Sequence, residues 1–361
     1  MATTGKISVL IVDDSSVART MLRSIFEDEA DFEVVAEARN GLEAIEMTRR
    51  LRPNLVTMDL EMPEMGGLEA IEEIMCTKAA PILVVSGVAD AQKAYGAVSR
   101  GAVDVVGKPN MTSARELEEF IDKARLVSKI PVITVPRTRP GSATARQDAP
   151  PAVSRPAPGA QAIAPATDNQ RIVAIASSTG GPQALAALLG WMGPGVSCPV
   201  VVAQHISDGF ASGMADWLNS ISAMPVRLAV DGDRLSAGTV YLSPSEWNMT
   251  VTPARSIALV PRQARQIYQP SCDALLTSVA EVAGRHAVGV ILTGMGSDGV
   301  GGMQAVQAAG GITLGQDEGS SVIFGMNAIA IERGWVQRVL SLQDLAGALC
   351  DIAGVGPGAT A

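Results

Sequence analysis

Aromatic side chains are scarce, at 3% of 361 residues. The cores must therefore be built from Val, Ile, Leu, Ala and Met, within a hydrophobic content of 47%. Positive charge is also short: 28 Lys and Arg against 37 Asp and Glu leave a net charge of −9. A surface that tracks phosphates needs clustered cations, so no nucleic-acid partner is expected. No apolar run approaches the length of a membrane span, so no membrane insertion is expected. Met1 to Lys6 is polar and lacks the pattern of a signal peptide. Cys76, Cys198, Cys272 and Cys350 are scattered, with no CxxC pair and no zinc spacing. Free buried thiols in a reducing cytoplasm are expected, in a chain expected to be a monomer.

What is present falls into two α/β patterns. Short β-branched runs at Ile7–Asp14, Phe32–Ala38, Leu55–Leu60, Pro81–Ser86 and Asp104–Lys108 alternate with helical stretches such as Val17–Glu29. Five strands alternating with helices imply a doubly wound parallel sheet. A segment rich in Pro and Ala follows, without hydrophobic periodicity, and reads as a linker. A second pattern begins at Arg171, with strands at Ile172–Ala176, Pro199–Ala203 and Ala287–Leu292. Val240–Leu242, Asn248–Thr252 and Ile257–Val260 read as a β-hairpin region within it. The expected architecture is two doubly wound parallel-sheet domains, 6–128 and 169–355, the second with an antiparallel hairpin, joined by the linker 129–168.

In the first domain, strand ends carry the chemistry. Asp13 and Asp14 end the first strand, Asp59 the third, Ser86 the fourth and Lys108 the fifth. Ligands of parallel sheets bind at these carboxyl ends. Three converging carboxylates repel one another unless a cation joins them, and an all-oxygen set suits Mg²⁺. Val-Asp-Asp-Ser (12–15), Met-Asp-Leu-Glu-Met-Pro (58–63), Ser86 and Lys108-Pro109 resemble the receiver domain of two-component response regulators. The resemblance implies a flavodoxin-like fold, with Asp59 as phosphoacceptor. It further implies Mg²⁺ on Asp13, Asp14, Asp59 and the Glu61 carbonyl, phosphoryl contacts from Ser86 and Lys108, and a histidine kinase as phosphodonor. Val105 stands where many receivers carry an aromatic switch residue, and Gly66-Gly67 where they usually carry Asp-Gly.

In the second domain, the chain's two histidines differ in position. His205 follows the carboxyl end of a strand, whereas His286 precedes the amino end of another. The loops Ser177-Ser178-Thr179-Gly180-Gly181 and Gly294-Met295-Gly296-Ser297-Asp298-Gly299 also follow carboxyl ends. A serine, His205 and Asp298 therefore share one rim, in a combination that suits a nucleophile, a base and an orienting carboxylate. On the residues alone, a phosphate-binding loop or a plain strand–helix turn remains open.

Ala-Ser-Ser-Thr-Gly-Gly (176–181), Ala-Gln-His (203–205) and Val-Gly-Val-Ile-Leu-Thr-Gly-Met-Gly-Ser-Asp-Gly (288–299) resemble the catalytic domain of the CheB-type chemotaxis methylesterases. The resemblance implies Ser178 as nucleophile, His205 as base, Asp298 as orienter, the Met295 amide as oxyanion donor and Thr179 as a neighbour. It implies no cofactor for the hydrolase. The implied reaction removes methyl esters from glutamyl residues of methyl-accepting chemotaxis receptors, releasing methanol, and deamidates receptor glutamines. The alternative from a different class is a phosphorylation-controlled docking module without hydrolase activity. Departures from the family pattern are Ala176, Ile206-Ser207-Asp208 and Tyr268-Gln269.

Overall fold

Strands buried on both faces need covering helices on both sides, and the first half of the chain supplies them in strict alternation. The computed structural model describes residues 5–77, 79–132, 170–262, 266 and 268–354. β1 (Ile7–Val12), α1 (Ser16–Glu27), β2 (Phe32–Ala38), α2 (Gly41–Leu51), β3 (Leu55–Met58), α3 (Gly67–Thr77), β4 (Ile82–Ser86), α4 (Ala91–Ser99), β5 (Asp104–Gly107) and α5 (Ala114–Val127) follow one another. The parallel sheet runs in the order β2-β1-β3-β4-β5, which puts a switch of direction between β1 and β3. Side-chain oxygens of Ser15, Asn40 and Ser113 accept amide hydrogens in the first turns of α1, α2 and α5.

The second half contains β6 (Ile172–Ser177), α6 (Gly181–Trp191), β7 (Val200–Gln204), α7 (Ala211–Ile221), β8 (Val226–Leu228), β9 (Val240–Leu242), β10 (Asn248–Val251) and β11 (Ile257–Val260). It continues with α8 (Cys272–Ala283), β12 (Ala287–Ile291), α9 (Val300–Ala308), β13 (Ile312–Gln316), α10 (Met326–Glu332), β14 (Arg338–Leu340) and α11 (Leu342–Ala353). A seven-stranded sheet has the order β14-β13-β12-β6-β7-β9-β8 and is parallel throughout. Among the described residues, β10 and β11 alone form an antiparallel hairpin. Val240–Leu242, expected within the hairpin region, instead pairs with β7 as part of the main sheet. Its three residues are wholly buried, and a central place in a parallel sheet covers both faces. The segment expected as a linker lies outside the described residues from 133 onward.

The two α/β halves share an apolar contact through α4 and α7. Ala91, Ala94, Tyr95, Ala97 and Val98 of α4 belong to the same buried cluster as Phe210 and, from α7, Met214 and Ala215. The Tyr95 ring stacks on Trp217, with centroids 5.7 Å apart. Gln183 Nε2 donates to the carbonyls of Val98 and Ala102, at 3.2 Å each. At the centre, α7 presents Gly213 so closely to α4 that a Cβ there would lie 2.5 Å from the Ala91 carbonyl carbon.

Gly213→Val therefore overpacks the contact, at a cost of about 1–3 kcal/mol. The expected outcome is a more extended full-length chain by small-angle scattering, with helical content by circular dichroism unchanged. An unchanged radius of gyration would count against a close contact at Gly213.

Candidate active site

Adjacent strands place the rim. Ala176 of β6 pairs with Ile291 of β12 on one side and with Ala203 of β7 on the other. The ladder continues past the strand ends: His205 N–H donates to Ser177 O, and Ser178 N–H to Thr293 O, each at 3.0 Å. Ser178, His205 and the loop carrying Asp298 therefore emerge side by side where strand order switches about β6. Gly294 belongs to this close approach, since a Cβ there would come 2.5 Å from Ser178 Cβ.

Ser178 Oγ lies 3.1 Å from His205 Nδ1, and His205 Nε2 lies 2.8 Å from Asp298 Oδ2. An ionised Asp298 can only accept, so Nε2 carries the imidazole proton and Nδ1 presents its lone pair to the Ser178 hydroxyl. Burial alone would push the Asp298 carboxyl up. Hydrogen bonding and charge from His205, with the amides of Asp273 and Cys272, outweigh burial and hold it below the usual carboxylate range. Asp298 Oδ2 accepts Cys272 N–H at 2.7 Å, and Oδ1 accepts Asp273 N–H at 2.9 Å and the Ser271 hydroxyl at 3.2 Å. These donors form the N-terminus of α8, which favours negative charge. An oriented base and a serine at hydrogen-bond distance constitute the geometry of an activated nucleophile.

The neighbouring Ser177 points the other way. Its hydroxyl donates to Gln204 Oε1 at 2.6 Å, and Gln204 Nε2 donates to the carbonyls of Ser178 and His205. Thr179 is buried, and its carbonyl accepts from the Thr293 hydroxyl at 3.0 Å. Met295 lies on the same loop as Asp298 and is 45% exposed. His286 sits in a turn before β12, at the opposite end of the strands, beside Arg285.

The family profile for CheB methylesterase matches residues 173–349, and that for the response regulator receiver domain matches residues 9–122. Over 361 residues the chain is 75% identical to protein-glutamate methylesterase/protein-glutamine glutaminase 3 of Paramagnetospirillum magneticum, covering 99% of each. The chain belongs to the CheB-type methylesterase/glutaminase family. It is also 40% identical over 339 residues to a Myxococcus xanthus protein with the same description, covering 92% of this chain and 90% of that one. Among solved structures, the Thermotoga maritima CheB methylesterase catalytic domain is 32% identical, covers 50% of this chain and 97% of that one, and has a TM-score of 0.47.

The receiver of this CheB-type chain gathers its strand-end groups at the switch between β1 and β3. Carboxylate oxygens of Asp13, Asp14 and Asp59 lie within 4.8 Å of one another. Lys108 Nζ bridges Asp13 Oδ2 at 2.7 Å and Asp59 Oδ2 at 2.9 Å. Burial pushes the Asp59 carboxyl up, and the Asp13 charge adds to this against the pull of Lys108. Burial would lower the Lys108 ammonium, but its bonds to Asp13 and Asp59 hold it above the usual range. Ser86 Oγ is buried without a hydrogen-bond partner among the described residues. The Glu61 side chain turns outward to Lys93.

Ser178, His205 and Asp298 are legible as motif residues, whereas the groups that support them are not. Gln204, the Ser271 hydroxyl, the Cys272 and Asp273 amides and the Tyr268 ring, which stacks on His205, carry no motif that points to them. The Ser271 signal was legible in part, since a serine before a helical run is a common N-cap.

Ser178→Ala is expected to lower methyl-ester hydrolysis by about 10³-fold or more with little change in melting temperature. Ser177→Ala is expected to keep most activity but to lose about 1–3 kcal/mol of stability, because it leaves Gln204 Oε1 unpartnered. Steady-state rates with thermal melts check both. The reverse pattern would assign the nucleophile to Ser177.

Proposed function

We propose that the chain is a phosphorylation-activated hydrolase that removes methyl esters from glutamyl residues of methyl-accepting chemotaxis receptors and deamidates receptor glutamines. The observation that carries this reading is the continuous relay from Ser178 through His205 to Asp298. In the proposed mechanism, Ser178 Oγ attacks the ester carbonyl as His205 Nδ1 takes its proton. The developing oxyanion faces the Met295 amide, with Thr179 beside it. The same proton passes to the leaving methoxide, giving methanol and an acyl-enzyme. Water, deprotonated by His205, then releases the glutamate. With glutamine the leaving group is ammonia. A docking module without activity gives no reason for a serine, an imidazole and a buried carboxylate to be held in register.

The receiver (6–128) is proposed to accept a phosphoryl group on Asp59 from a chemotaxis-type histidine kinase, and the catalytic domain (169–355) to follow the linker. Mg²⁺ would be held by Asp13, Asp14, Asp59 and the Glu61 carbonyl. Its hard oxygen donors fit that ion, and the bound ion would offset the charge of an incoming phosphoryl group. Ser86 and Lys108 would contact the phosphoryl oxygens, and the unpartnered Ser86 hydroxyl supports this. Control is proposed to run through the shared contact. Gly107 N–H, beside Lys108, donates to Ser207 Oγ at 3.3 Å, two residues beyond His205. Phosphorylation would rearrange Lys108 and loosen the contact that covers the rim. Among the described residues, no helix is long and apolar enough to cross a membrane. A cytoplasmic monomer acting on the receptors' cytoplasmic helices is the proposed setting.

The test is methanol release from methylated receptors. Release is expected from the parent chain, stimulated by a small phosphodonor with Mg²⁺, and Asp59→Asn is expected to show basal release without stimulation. Absence of methanol from the phosphorylated parent would refute the hydrolase reading, and stimulation of Asp59→Asn would move the acceptor to another residue.

A further inference from the structure

The segment 268–273 touches the base and its orienting carboxylate together. Ser271, Cys272 and Asp273 donate to Asp298. Gln269 O accepts Ile206 N–H at 3.2 Å, next to the base. The Tyr268 ring lies against the His205 imidazole, with centroids 5.0 Å apart and planes 10° from parallel. Its hydroxyl end reaches the loop that carries Met295: a Cβ on Gly296 would come 2.3 Å from the Tyr268 oxygen. The ring therefore spans from the base to the loop on the other side of the site.

Hydrogen bonds at Nδ1 and Nε2 fix the imidazole within its own plane. They do little against tilting out of it, and a parallel ring on one face restrains that motion. The face of an aromatic ring also carries negative potential, which favours a cation above it. The base of an acyl transfer becomes such a cation as the serine attacks.

We propose that Tyr268 is a positioning residue for His205, its ring holding the imidazole plane in line between Ser178 and Asp298 and favouring the imidazolium that forms during attack. The proposal rests on the hydrolase reading above. It assigns the effect to the ring face and not to the hydroxyl. Phenylalanine should therefore replace Tyr268, whereas an aliphatic side chain should not.

The full-length chain, held with Mg²⁺ and a small phosphodonor, is tested in two ways. One is the rate of covalent labelling of Ser178 by a fluorophosphonate, which needs the activated serine but no receptor. The other is kcat and KM for methanol release. Tyr268→Phe is expected within about twofold of the parent in both. Tyr268→Leu is expected to lower the labelling rate and kcat by about tenfold, with KM within about twofold. Tyr268→Met serves if the leucine variant melts early, with the same expectation. Parent-like labelling of the aliphatic variants would overturn the proposal, as would an equal loss in Tyr268→Phe, or a change confined to KM. A parent chain that neither labels at Ser178 nor releases methanol would overturn the hydrolase reading and this proposal together. A parent that labels while Tyr268→Leu labels equally well overturns this proposal alone.

Discussion

The catalytic half depends on one buried charge. Asp298 is largely removed from water, where an unpaired carboxylate would cost several kcal/mol. Four donors offset that cost: Nε2–H of His205, the amides of Cys272 and Asp273, and the Ser271 hydroxyl. Satisfying the carboxylate fixes the N-terminus of α8 against the rim and selects the imidazole tautomer. That tautomer in turn presents a lone pair to Ser178. The same bonds that make the charge tolerable in the fold thus turn the imidazole lone pair toward the Ser178 hydroxyl.

The receiver half has its own charge problem, answered differently. Three carboxylates meet with the Lys108 ammonium among them, and burial holds the Asp59 carboxyl up. Such a pocket favours added positive charge. Lys108 holds two of the three carboxylates, and its neighbour Gly107 touches Ser207 near the base. The distance between the two sites is therefore bridged by a few residues at the ends of β5 and β7. The Tyr95–Trp217 stack and the tight fit at Gly213 give that bridge a well-defined closed arrangement.

Much of this was legible in the sequence because strand ends concentrate chemistry. Asp13, Asp14, Asp59, Ser86 and Lys108 each follow a recognisable apolar run, and so do Ser178 and His205. The second domain was read less completely. β8 and β14 have three residues each, too few to show a period, and the Gly-containing β13 resembles a turn. Nearness to β10 in the chain points β9 toward the hairpin, whereas its pairing is decided by burial in the sheet. The supports of the relay were also hidden. Backbone amides such as those of Cys272 and Asp273 have no residue signature, and Gln204 reads as an ordinary polar residue after a strand. The Tyr268 stack depends on a fold that brings position 268 to position 205.

The central claim is that ionised Asp298 sets the tautomer of His205 for attack by Ser178. Replacing it with asparagine keeps the shape but removes the carboxylate that holds a proton on Nε2. The decisive measurement is kcat for methanol release by Asp298→Asn in the phosphorylated full chain, alongside its circular dichroism. The account predicts a native-like spectrum with a rate lowered by roughly 10³- to 10⁴-fold. A folded Asp298→Asn variant within about tenfold of the parent rate would contradict it.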